Sequence, residues 1–192
     1  EYRVLGRNFG VDDLRPHLKN AGFSGSIAVQ AREMRKETDF LLQLAAANPE
    51  IKGVVVWLNL CAPDIDQELE NFSGQRNLKG LRMLIHDRPD PDFAMSDAHV
   101  YGVSKLAKFG LTYDLLLKPL HLPAAIRLVD RLPNQMFVVD HIAKPDIRNQ
   151  VMQPWRSLMK ELARRPNVFC KLSSVITQAE WHSWTDAGIF PF

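Results

Sequence analysis

Cysteine is scarce in this chain of 192 residues: Cys61 and Cys170 are the only two, in neither CxxC spacing nor a disulfide framework. Both lie in or next to apolar segments, so we expect reduced thiols in the core. No apolar run approaches the roughly 18 residues that a bilayer span requires, and the start of the chain lacks the charged and apolar regions of a secretion signal. A cytoplasmic location is the expectation. Charge of one sign is lacking too, with 24 Lys and Arg against 22 Asp and Glu, a balance that points to neither a nucleic-acid nor a membrane partner. The glycine-rich fingerprints of dinucleotide-binding and P-loop sheets are missing. So is the GxSxG elbow, which leaves Ser173 and Ser174 without the setting of a serine nucleophile. The first residue is Glu1 rather than Met and the last stretch, Gly188 to Phe192, is apolar, so we read the chain as a portion of a longer one.

What is present is an alternation. With 46% hydrophobic residues the chain is long enough for one sizeable core, and no linker divides it, so residues 1–192 read as one domain. Apolar runs predict strands at Ser26 to Gln30, Gly53 to Asn59, Gly80 to Ile85, Leu111 to Leu117, Gln135 to Asp140 and Asn167 to Leu172. They recur every roughly 24 to 32 residues, the length of a strand-helix-strand unit. Amphipathic stretches predict helices at Asp12 to Asn20, Lys36 to Ala47, Ile65 to Phe72, Asp97 to Lys108, Leu122 to Arg131 and Pro154 to Arg164. Gly22 and Gly110 follow helix ends, and Pro133 and Pro166 stop helices. The strands are apolar on both faces, as Val54-Val55-Val56 shows, which predicts a parallel sheet covered on both sides.

The most telling segment is Phe137-Val138-Val139-Asp140-His141-Ile142-Ala143-Lys144-Pro145, an apolar strand that ends in an acid, an imidazole and a lysine. Parallel α/β enzymes keep their working side chains at such C-terminal strand ends. Other strand ends behave alike: Gln30 and Arg32, Trp57 and Asn59, Arg82 and His86, Asp114 and Lys118, Lys171 and Ser173. A doubly wound sheet and a (β/α) barrel share the same local unit, but polar groups on every strand end favour the barrel.

Val29-Gln30-Ala31-Arg32, Gly80-Leu81-Arg82, Tyr113-Asp114-Leu115-Leu116, Val139 through Pro145 and Cys170-Lys171-Leu172-Ser173 together resemble the successive strand-end motifs of the amidohydrolase-related lactonase family. That family has a (β/α)8 TIM-barrel fold and includes sugar-acid lactonases and 2-pyrone-4,6-dicarboxylate lactonase. The resemblance implies that strands two to seven are visible here. Family members also carry a His-x-His pair on the first strand and a catalytic Asp on the last, in a Gly-Ser-Asp-Trp-Pro context; neither motif is in this chain. It implies a hydrolase that opens a small lactone or carboxylated pyrone with activated water. His141 would be the catalytic residue present, polarising or orienting in concert with the residues not seen.

Substrate contacts fall to Gln30, Trp57, Arg82, Lys171 and Asp114. An amide donates and accepts, an indole offers a flat face to a sugar ring, and a guanidinium or ammonium grips a carboxylate. The bland readings stand beside these: a backbone-bonded histidine, a packing tryptophan, and an internal ion pair of Arg82 or Lys171 with Asp114 or Asp140. Asp114 reads more as an orienting partner than as a proton carrier. A divalent ion such as zinc would find His141 as the one plausible ligand here, since His121 lies beyond Pro119 in a loop or helix start; a mechanism without metal is the alternative. His17, His99 and His182 read as surface residues. A metal-dependent decarboxylase on a related barrel and a non-catalytic barrel remnant are the competing functions. The expected partner is a small lactone or carboxylic acid, and oligomers are open.

Overall fold

Six of the apolar runs become strands in the computed structural model, which describes residues 6–72 and 74–192. They are β1 (Ser26–Val29), β2 (Ile51–Val56), β3 (Leu78–Met83), β4 (Thr112–Leu115), β5 (Phe137–Val139) and β6 (Val168–Cys170). Each pairs parallel with the next in chain order, forming one sheet β1 to β6. A doubly wound sheet reverses its direction of growth partway; a sheet that always adds strands on one side keeps every right-handed crossover helix on one face. The result is a six-stranded parallel α/β half-barrel. Glu1, which entered the expectation about the chain's start, lies outside the described residues.

The covering helices are α1 (Val11–Asn20), α2 (Arg35–Ala47), α3 (Ile65–Asn71), α4 (Asp97–Leu106), α5 (Leu122–Arg131) and α6 (Trp155–Leu162), with a short α7 (Asp186–Ile189) that the periodicity does not announce. Helix α5 shows why they form. Its Ala125, Ile126, Leu128 and Val129 are buried on one face while Arg127, Asp130 and Arg131 face water. Alternate strand residues Leu81, Met83, Tyr113, Leu115, Phe137 and Val139 join that face in a single core cluster. Each such side chain contributes about 1.5–3 kcal/mol when fully buried. Gly110 ends the helical stretch before β4 at φ +66, a conformation that disfavours a Cβ.

The other residues of each strand point to the concave face. Register places Arg82 opposite Asp114 and Asp114 opposite Val138, so charged side chains from neighbouring strands line up there. Gly80 permits that approach, because a Cβ at this position would stand 2.2 Å from the Thr112 Oγ1 and 2.9 Å from its carbonyl oxygen.

Three expectations need correction. Cover on both faces holds for β2 and β4 but not for the edge strands: Ile27 is 49% exposed and Phe169 57%, because β1 and β6 have a strand on one side only among the described residues. Cys170 shares that edge and is exposed rather than a core thiol, although both cysteines are free as expected. His99 is not a surface residue; it is fully buried, since α4 turns it inward beneath the half-barrel. No helix among the described residues is long and apolar enough to cross a membrane.

Candidate active site

The C-terminal ends of β3, β4, β5 and β6 converge on one charge network. Arg82 Nη1 donates to Asp140 Oδ2 at 2.9 Å, and its Nη2 donates to the backbone oxygen of Gln30 at 2.5 Å. Lys171 Nζ donates to Asp114 Oδ2 and lies 2.7 Å from Asp140 Oδ1, a contact that is ionic rather than a well-aligned hydrogen bond. Asp140 and Asp114 are almost wholly buried, Arg82 and Lys171 only partly. Two cations and two carboxylates therefore balance. Burial opposes ionisation of Asp140, but its contacts with Lys171 and Arg82 outweigh burial and hold the carboxyl below its usual range. At Asp114 burial wins over Lys171 and the pKa is raised. Burial pulls the Lys171 ammonium down while the two carboxylates raise it further, so it stays charged.

His141 stands at the mouth of this network on a backbone that few side chains accept. Residues His141, Ile142, Ala143 and Lys144 have φ of +54, +47, +56 and +49, a complete left-handed turn without glycine. Each such residue costs roughly 1 kcal/mol or more. Lys144 also precedes Pro145, where extended backbone is the norm. Compensating contacts hold the turn. The Trp155 indole Nε1 donates to the Ile142 oxygen at 2.7 Å, Ile142 N–H to the Lys171 oxygen at 3.3 Å and Lys144 N–H to the His141 oxygen at 2.9 Å. Ile142 and Ala143 are buried beneath. Strain concentrated at one turn is the mark of a segment held for its side chains.

The His141 Nδ1 meets the Ser173 Oγ at 2.8 Å, which fixes the ring and leaves Nε2 as its free edge. Burial, reinforced by Lys144, Arg82 and Lys171 against the pull of Asp140, lowers the His141 pKa below the ordinary histidine value. The imidazole is neutral at pH 7. Two strands away, past the end of β3, the His86 Nε2 lies 3.2 Å from Asp87, while its Nδ1 is buried without a hydrogen-bond partner among the described residues.

Of the residues singled out in the sequence, Arg82, Asp114, Asp140, Lys171 and His141 come together. Gln30 and Trp57 sit differently. The Gln30 amide donates to the oxygens of Arg32 and Met34 at 2.7 and 2.9 Å, and it accepts from Thr38 Oγ1 and Trp57 N–H at 2.7 and 2.9 Å. Every donor and acceptor it has is thus engaged by protein. Trp57 is half-buried against the core and borders a cleft of about 200 Å³ with Arg35, Asn59 and Glu68, between the starts of α2 and α3. His121 is buried; it accepts from Lys118 N–H at 3.2 Å, so its Nε2 carries the proton toward the Arg88 oxygen at 3.1 Å. The two ring nitrogens thus tie the loop before α5 to the segment after β3. The signals for Ser173 and Trp155 were faint in the sequence: a serine two residues past Lys171, and a tryptophan at a helix start that reads as packing.

The chain is similar to several known proteins. An L-fucono-1,5-lactonase of Burkholderia ambifaria is 31% identical over 185 residues, 96% of this chain and 61% of the relative. The chain thus spans about three fifths of the length of that curated relative. A crystal structure of an amidohydrolase from Burkholderia multivorans with bound zinc superposes with a TM-score of 0.89 at 34% identity, covering 98% of this chain and 67% of that one. A probable 2-pyrone-4,6-dicarboxylic acid hydrolase of Acinetobacter baumannii, solved with citric acid bound, shares the fold at a TM-score of 0.75 and 15% identity, over 93% of this chain and 64% of that one. A family profile described as amidohydrolase matches residues 1–192, and by that match the chain belongs to the amidohydrolase family.

Proposed function

We propose that the protein is a hydrolase that opens a small lactone, on a complete (β/α)8 barrel of which the six strands form the central sector. The observation that carries this reading is His141, a neutral imidazole held on a strained turn above a charge-balanced network. Similarity to an L-fucono-1,5-lactonase supports it and favours ester opening over decarboxylation.

In this reading water adds to the ring carbonyl carbon, the ring C–O bond breaks, and the departing alkoxide takes a proton, leaving a hydroxy acid. The Ser173 hydroxyl donates to His141 Nδ1, so that Nε2–H donates to the carbonyl oxygen as negative charge develops on it. Preorganised donors of this kind contribute about 2.7–4 kcal/mol to the transition state. Asp140 and Asp114 hold Arg82 and Lys171 in place, and burial, with these cations adding to it, keeps His141 neutral. Gln30 secures the end of β1, whose oxygen anchors Arg82.

The similar amidohydrolase of Burkholderia multivorans was solved with bound zinc. A catalytic zinc takes three protein ligands, and the described residues contain no group of three His, Cys, Asp or Glu able to hold an ion. His141 Nε2 is a single free donor, and Asp140 is committed to Arg82 and Lys171. These residues alone do not fit a zinc centre, and no step is routed through one.

A pH-indicator assay of the intact protein against a panel of aldono-1,5-lactones and pyrone carboxylates tests the proposal. Acid release from at least one is expected. Silence across the panel would sink it.

A further inference from the structure

The charge account of the rim does not close at Lys144. Arg82 and Lys171, the cations that sequence reasoning favours for gripping a carboxylate, are matched by Asp140 and Asp114. Lys144 is half-buried on the strained turn beside His141, and among the described residues it has neither an ion-pair nor a hydrogen-bond partner for its ammonium. Burial pushes its pKa below the usual lysine value; Asp87 opposes this, and the charges of Lys118 and Arg82 add to it. A cation withdrawn from water without a partner is costly. Two further groups follow the neighbouring strand ends. The backbone N–H of His86 donates to the Leu116 oxygen at 2.9 Å, which ties the end of β3 to the segment that leads into Lys118. The charges of Lys144 and Lys118 both act on His86, whose buried Nδ1 is unpartnered. His86, the exposed Lys118 and the half-buried Lys144 thus follow the ends of three adjacent strands, β3, β4 and β5, with Asp87 as the opposing charge.

We propose that Lys144, with His86 and Lys118, forms a subsite for a ligand carboxylate next to His141. The inference rests on the hydrolase reading and deepens it. Hydrolysis of a neutral lactone creates one carboxylate and one proton, so the ring-opened acid would be held where the lactone was not. A lactone that already carries a carboxylate would be held from the start. In both cases the recognised chemistry is an anionic carboxylate against an ammonium that has no partner among the described residues, and charge-assisted bonds of this type are the strong ones.

The test compares the intact wild-type protein with Lys144→Met, Lys144→Arg and His86→Gln. Binding of an aldonate and of the alditol of the same carbon skeleton is measured by titration calorimetry, which needs no turnover. The wild type should bind the aldonate and not the alditol. Lys144→Met should weaken aldonate binding roughly tenfold or more, Lys144→Arg should retain most of it, and His86→Gln should lie between. Kinetics then separate the two sources. A raised KM for a carboxylated lactone in Lys144→Met, with the KM of a neutral aldonolactone unchanged, assigns the subsite to the substrate's carboxylate. Relief of inhibition by the aldonate alone assigns it to the product's. Should Lys144→Met fail to fold, His86→Gln and Lys144→Arg carry the comparison. Aldonate binding equal in the wild type and in every folded variant, or absent in the wild type, overturns the subsite. A wild-type protein that binds the aldonate but opens no lactone of the panel would instead strike the hydrolase reading.

Discussion

At the scale of the residue, His141 owes its proposed role to one hydrogen bond and one environment. Ser173 sets the ring from the Nδ1 side, so Ser173→Ala should free it to rotate and lower kcat about tenfold with little change in KM. Loss of KM with kcat intact would place Ser173 against the substrate instead. The environment sets the pH dependence. The His141 pKa lies below the ordinary value, chiefly through burial, and the proposed donor is the neutral ring. Activity should therefore be flat through neutrality and fall only on the acid side of the usual histidine range; a pH-rate profile with its acid limb centred above pH 7 would contradict that. Asp140 is equally exposed to test. Removing Arg82 leaves a fully buried carboxylate with Lys171 alone, and Arg82→Met should cost about 3–5 kcal/mol in urea denaturation, with a change below 1 kcal/mol counting against the network.

At the scale of the element, the turn after β5 is the unit that matters. Trp155, at the start of α6, supplies the indole hydrogen bond that pins the strained backbone at Ile142. Trp155→Phe keeps most of the packing and removes only that bond, so it should lower stability by about 1–2 kcal/mol and lower kcat while sparing KM. A stability loss without any kinetic effect would make Trp155 packing alone. This turn also shows what sequence reasoning reaches. The apolar run to Val139 and the change to Asp140-His141 mark a strand end, and helices follow from the 3.6-residue spacing of residues such as Ala125, Leu128 and Val129. Positive φ at four residues without glycine is invisible, because non-glycine residues enter that region only where tertiary contacts force them. His99 escaped for a related reason. A polar residue in an amphipathic helix reads as exposed, whereas its partners, the Ala94 oxygen at 2.9 Å and the Tyr113 hydroxyl at 2.7 Å, come from elsewhere in the chain. The Gln30 amide likewise reads as a free ligand until its four local partners are seen.

At the scale of the whole molecule, stability is tied to protons through His99. Burial holds its pKa at about 4, against 6.5 for the ordinary side chain. The ring must stay neutral to accept from Tyr113, so the unfolded chain binds the proton more readily. The His99 contribution should be fully present above about pH 6.5, fall as the pH drops toward 4, and level off below, a loss on the order of 3 kcal/mol. His99→Gln should flatten that slope in denaturation curves taken from pH 7 to 4; an unchanged slope would show that the loss arises elsewhere. Parallel pairing links this stability to function, because it puts every strand's C-terminal end on the same rim. Arg82, Asp114, Asp140, His141 and Lys171 meet there from four strands, far apart in the chain. The most direct measurement is the turnover of an aldono-1,5-lactone by the intact protein and by His141→Asn, with folding of both verified by circular dichroism. The account predicts a fall in kcat of at least about a hundredfold in the variant, with its thermal midpoint little changed; a folded variant that opens the lactone at the wild-type rate would contradict it.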